Sequence, residues 1–150
     1  MKMNVERAPR MTHREALILG LCAMSSTAVL TACDVRDFLP VPKAALVQPE
    51  DGAKVTSPVY FEMEAKNWDI EPPTERRDGA GYFVIALEGG CVPSGRLVPF
   101  DERFVHVADG GYMAWVDMTP GEYHVCLMVA DGNHRATPLV HEVSFEVVEN

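Results

Sequence analysis

The stretch from Pro120 to His134, PGEYHVCLMVADGNH, constrains this chain more than any other. Tyr123, Val125, Leu127 and Val129 alternate with His124, Cys126 and Met128, a period of two that specifies an extended strand and not a helix. Pro120-Gly121 before it and Asp131-Gly132 after it supply turn chemistry. A strand apolar on both sides needs cover on both, so it belongs in the middle of a sheet with other layers packed around it.

Gly81 to Glu88, GYFVIALE, is a second run of this kind and reads as a second central strand. Shorter strands are expected at Ala45 to Gln48, Val55 to Ala65, Arg96 to Val98, Phe104 to Val107, Tyr112 to Met118 and Val140 to Val148. Asp109-Gly110-Gly111 should be a hairpin turn joining two of them. Asn67 to Ala80 has adjacent prolines, many charges and no apolar period, the composition of a long surface loop. Turn residues recur at even spacing and no helical period follows residue 33. The expected fold is therefore all-β, an antiparallel immunoglobulin- or fibronectin-like β-sandwich of about seven strands. Tyr123 would stand at the corner that opens the next-to-last strand of such domains, its hydroxyl bonding back to the chain.

The N-terminus has a different character. Lys2, Arg7, Arg10 and Arg14 form a basic start, Ala16 to Leu30 is apolar, and Leu30-Thr31-Ala32-Cys33 follows, an order that resembles a bacterial lipoprotein signal. The apolar run is shorter than the about 20 residues that span a bilayer, contains Ser25, Ser26 and Thr27, and meets Asp34 at its end. The expectation is an N-terminal signal helix within a signal peptide over residues 1–32, a lipid on Cys33, a proline-bearing tether over 33–43 and one domain over 44–150. Such a protein would be held to a bacterial membrane in the cell envelope, facing the periplasm or the exterior. Without residues 1–32 it keeps nine basic against twenty acidic residues, a net charge near −11. Phosphate neutralisation needs clustered Lys and Arg, so no nucleic-acid partner is expected, and membrane contact would run through the lipid on Cys33. Cys91 and Cys126 remain as an even pair, which suggests a disulfide in an oxidising compartment.

QPEDGAKVTSPVYFEMEAKNW, the GAG before the central strand, GGCVPSG, VPFDERFVHV and PGEYHVCLMVADGNH occur in that order. On these stretches Ala45 to Val148 resembles domain-of-unknown-function family 4399, a set of bacterial envelope domains. The resemblance implies a small immunoglobulin-like fold with no assigned activity, and the paired cysteines of one branch of the family fall on Cys91 and Cys126. It also implies a Gly-His-x-His run at Gly81 to Val84, with further histidines at His106 and His134, a set suited to copper or zinc. This chain departs from the family there. Tyr82 and Val84 replace two imidazoles, leaving His106 and His134 as candidate metal ligands.

No GxSxG, catalytic Cys/His signature or phosphate-cradling glycine loop is present, so neither an enzyme nor a cofactor is expected. Trp68, at the start of the long loop, is a candidate anchor for a glycan or a protein partner, and Tyr82 joins it as a candidate binding-surface residue. The bland reading of Trp68 is a plug for the end of the core. The leading function is a lipid-anchored envelope module that binds protein or glycan, and the alternative is a periplasmic copper- or zinc-binding domain with a degenerate histidine site. Convergence of His106 and His134 beside Tyr82 would favour the alternative, and an exposed aromatic patch around Trp68 the first.

Overall fold

The computed structural model describes residues 40–149. The expected signal helix, Cys33 and most of the tether lie outside the described residues. Nine strands follow: β1 (Lys43–Gln48), β2 (Lys54–Thr56), β3 (Val59–Lys66), β4 (Asp69–Ile70), β5 (Ala80–Ala86), β6 (Phe104–Val107), β7 (Met113–Val116), β8 (Gly121–Ala130) and β9 (Ala136–Val148). The described residues are thus all-β. They form a small sheet in the order β1-β3-β7 and a large one in the order β2-β9-β8-β5-β4, with β6 also paired to β5.

The run from Val55 to Ala65, expected as one strand, is two. Pro58 has no N–H to give a ladder, and the chain changes sheets there. Before it, β2 pairs parallel with β9, and after it, β3 pairs antiparallel with β1 and β7. A second parallel pairing, β4 on β5, arises within the segment expected to be pure loop. The large sheet is therefore mixed, while the small one is wholly antiparallel. The expected hairpin at Asp109 to Gly111 is also corrected, because β6 pairs with β5 while β7 pairs with β3, so the turn carries the chain from one sheet to the other. Alternation specifies which face a residue takes but not which strand it lies beside. Arg96 to Val98 makes a single bridge, Leu97 to Arg135.

Between the sheets, Leu46, Val59, Phe61 and Met63 meet Phe83, Ile85, Val125, Leu127, Val129, Val143, Phe145 and Val147. The opposite face of the large sheet is buried as well. There Tyr82, Val84, Ala86, Cys126, Met128 and Ala130 lie under Val98, Cys91, Val92 and Phe104. This second cover explains why β5 and β8 are apolar on both sides: the small sheet covers one face and the segment after Gly89 crosses the other. Close contact between the two central strands needs a glycine, since a Cβ on Gly81 would strike the Ala130 carbonyl oxygen and come within 2.9 Å of the Val129 side chain. At the start of β8, the Tyr123 hydroxyl donates to the Thr119 carbonyl at 2.9 Å, closing the corner.

A Cys91–Cys126 disulfide, with Cα atoms 5.3 Å apart and a sequence separation of 35, staples the covering segment to β8. In the chain-entropy picture a loop of that length stabilises the fold by about 4 kcal/mol. The Cys91→Ser, Cys126→Ala double variant is expected to unfold in urea with a free energy about 3–4 kcal/mol lower than the native chain. Coincident denaturation curves would contradict this.

Candidate functional site

The chemistry-bearing side chains gather where β8 turns into β9. Asp131 organises that turn: its Oδ1 accepts from the N–H groups of Asn133 and Arg135, both at 2.9 Å, and its carbonyl accepts from the His134 N–H at 2.8 Å. His134 takes a left-handed conformation, φ 59. Its ring lies over the outer face of the large sheet, where Tyr82 ends.

The Tyr82 hydroxyl is 2.8 Å from His134 Nδ1 and 3.1 Å from His106 Nδ1. His106 Nε2 is 2.8 Å from the Pro99 carbonyl, which can only accept, so neutral His106 carries its proton on Nε2. Its Nδ1 lone pair then accepts a hydrogen bond from the tyrosine O–H, and the tyrosine oxygen accepts from His134 Nδ1–H. Phe100 caps the group, stacked on the His106 ring at 4.3 Å and edge-on to His134 at 4.9 Å, while itself 66% exposed. Burial pushes the Tyr82 phenol up to about 12, and the Asp131 carboxylate adds to the shift. It therefore stays protonated at neutral pH and serves as a donor.

Tyr82 is fully buried, so it supports the surface from beneath and is not itself a contact residue. His106 and His134 do converge beside it, the arrangement that favours metal, yet both Nδ1 atoms are engaged by one hydroxyl and His106 Nε2 is engaged by Pro99. Val84 lies opposite His106 on the neighbouring strand and is buried.

Trp68 is half-buried, rests against the main core, and has its indole N–H enclosed without a partner. The ring also lines a cleft of about 370 Å³ together with Arg76, Arg77, Asp131, Asn133 and Arg135. The described residues hold no broad aromatic patch around Trp68. Their exposed aromatics are Phe100, Tyr112 and Trp115, the last 4.8 Å from Tyr60 on the small sheet. The long segment is seated on the β8–β9 turn by a near-contact of backbones, because a Cβ on Gly132 would come within 2.8 Å of the Glu75 carbonyl oxygen. Arg76 thereby reaches Asp131 at 3.5 Å. Arg77 is bound by Glu71 at 2.8 Å and Asp69 at 2.9 Å, which hold its guanidinium above its ordinary pKa. Arg135 donates to the Gly95 carbonyl at 2.9 Å and has no carboxylate partner among the described residues. Phe100 and the arginines escaped the sequence reading, although an Arg-Arg pair inside a strongly acidic chain was a usable signal.

The fold and this site define a small all-β domain whose outer sheet face is closed by a disulfide-tied segment and whose β8–β9 end holds a polar cleft. Residues 61–148 match the model of a domain of unknown function, DUF4399, and the chain belongs to that family. No curated protein and no solved structure matches the chain.

The Tyr82 proton has a measurable consequence. An unfolded tyrosine releases its proton near pH 10 and the folded one only near 12, so as pH rises the unfolded state is the first to deprotonate. The associated stability is whole below pH 10 and is lost between about 10 and 12, on the order of 2–3 kcal/mol. Denaturation across that range is expected to show this decline in the native chain and a flatter profile in Tyr82→Phe, whereas parallel profiles would refute it.

Proposed function

We propose that this chain is a lipid-anchored, non-catalytic binding module of the cell envelope with an immunoglobulin-like fold, and that the cleft beside Trp68 receives a carboxylate-bearing glycan. The carrying observation is that three of the five arginines beyond residue 40 line one cleft with a tryptophan, and one of them, Arg135, is not neutralised by a carboxylate. An aromatic face stacks on a sugar ring, and a guanidinium fork matches a carboxylate in geometry as well as charge. Arg76 and Asn133 supply further donors at the rim. The two packed sheets and the Tyr123 corner support the immunoglobulin-like reading. The basic start, short apolar run and LTAC sequence support the lipid anchor at Cys33.

Calorimetry with an oligogalacturonate and with a neutral oligosaccharide of equal length tests the ligand class. The acidic chain is expected to bind and the neutral one to bind at least tenfold more weakly, with Arg135→Ala lowering the acidic affinity by roughly tenfold, the worth of one charge-assisted bond. Equal binding of both, or binding of neither, would sink the proposal.

The convergence of His106 and His134 on Tyr82 favours the second reading, a copper or zinc site. With both Nδ1 atoms taken up by the tyrosine, the disulfide-bonded natural chain is expected to have no submicromolar site at these residues. Tyr82→His with Val84→His should create or strengthen one. A stoichiometric site in the natural chain that disappears in His106→Ala would reverse the order of the two readings.

A further inference from the structure

The outer face of β8 and β9 carries another cluster, separate from both the cleft and the Tyr82 group. Cys126 and His124 share one face of β8, and Glu142 and Ser144 lie opposite them in register on β9. Ligand atoms of Cys91, Cys126 and Glu142 all lie within 4.8 Å of one another. Glu142 Oε1 is 3.5 Å from Cys91 Sγ and 3.6 Å from His124 Nε2. Zinc bonds of about 2.3 Å to sulfur and about 2.0–2.1 Å to nitrogen and oxygen set neighbouring ligands of a tetrahedron roughly 3.4–3.6 Å apart. Two of the edges are thus already near their metal-bound lengths.

The His124 ring is also held for the task, with Nδ1 2.9 Å from Ser144 Oγ and Nε2 turned toward Glu142. His124 and Glu142 are exposed, so an ion can reach them from solvent. Two departures remain: the sulfurs are bonded to each other, whereas two thiolates on one zinc stand about 3.8 Å apart, and His124 meets Glu142 but lies outside the group whose ligand atoms are all within 4.8 Å, so a sulfur must come toward its ring. Movement is available on one side: Cys126 is fixed within β8, but Cys91 lies outside any strand, directly after Gly89 and Gly90 at φ 80 and 75.

We propose that the Cys91–Cys126 bridge is the closed form of a zinc site, and that on reduction Cys91, Cys126, His124 and Glu142 together bind one ion. The reductant is a dithiol. One of its thiolates attacks Sγ of Cys91, the less buried cysteine, forming a mixed disulfide as the protein S–S bond breaks and Cys126 leaves as thiolate. The second thiol of the reductant resolves this intermediate and ends as the reductant's own disulfide. Two electrons and two protons have then passed to the protein, and zinc displaces the two thiol protons as it binds. The bridge thereby exchanges one clamp on the covering segment for another, covalent when oxidised and metallic when reduced. None of these residues lines the proposed glycan cleft, so the two proposals stand or fall separately.

The full chain carrying Cys22→Ser and Cys33→Ser, which leaves Cys91 and Cys126 as its only thiols, is the material for the test. It is reduced with dithiothreitol, desalted without oxygen, and titrated with Zn²⁺ or Co²⁺ beside its oxidised form. The reduced form is expected to bind one ion per chain, the Co²⁺ complex showing thiolate-to-metal charge-transfer absorbance, and the oxidised form to show neither. His124→Ala and Glu142→Gln should each weaken binding about ten- to hundredfold, with His106→Ala unchanged. Absence of the charge-transfer band, native affinity in both of the first two variants, or a reduced chain that loses its fold and does not regain it with Zn²⁺ would each overturn the proposal.

Discussion

Two strands with no wet face govern this structure. Every residue of β5 and the last six of β8 are buried, so water must be kept from both sides of the sheet they form. The small sheet covers one side with Leu46, Val59, Phe61 and Met63. The other side is left to a segment that builds no strand of its own. Its hold includes a few backbone bonds, Gly95 N–H to the Ala136 carbonyl at 2.7 Å, Val98 N–H to that of His134 at 2.9 Å and Ala136 N–H to that of Arg96 at 2.9 Å, the side-chain bonds of Arg135 to Gly95 and His106 to Pro99, and one disulfide. The hydrophobic gain of covering Val84, Met128 and Ala130 thus depends on a piece of chain that would not stay in place by strand pairing alone.

Much of this was legible in the residues and some was not. The apolar runs of β5 and β8 and the alternation of β9 were plain, because periodicity reports directly on burial. The corner at Tyr123 was also readable, since a tyrosine after Pro-Gly at a strand start has a local partner. Partnership between strands was harder to read. Phe104–Val107 and Met113–Val116 look like the arms of a hairpin, and nothing in their own residues says that β5 captures one and β3 the other. The parallel pairing of β2 with β9 joins residues some ninety positions apart, beyond any local pattern. At the site, His106 and His134 meet at Tyr82, whose burial depends on the segment bearing Val98, and the course of that segment is not disclosed by one sequence.

The polar groups divide according to the charge balance of the chain. In a domain so rich in carboxylates, most arginines are spent on acids within a few residues, as Arg103 is on Asp101 at 2.8 Å and Arg77 on Asp69 and Glu71. Such exposed pairs add little stability, and their effect is to remove positive charge from view. Arg135 escapes because the turn that holds it uses its own acid, Asp131, to bind backbone N–H groups. Local turn chemistry thus leaves the Arg135 guanidinium available to solvent.

The change of sheet at Pro58 also bears on when the fold can be completed. β2 closes the edge of the large sheet by pairing with Glu146, Val147 and Val148, the last residues of β9. β3, only two residues further along, is meanwhile committed to the small sheet. The seam between the sheets therefore waits for β9, which follows β2 by some ninety residues. Assembly of such distant partners is slow relative to local hairpins, so a chain emerging from its N-terminal end remains open along that edge until its last strand is delivered.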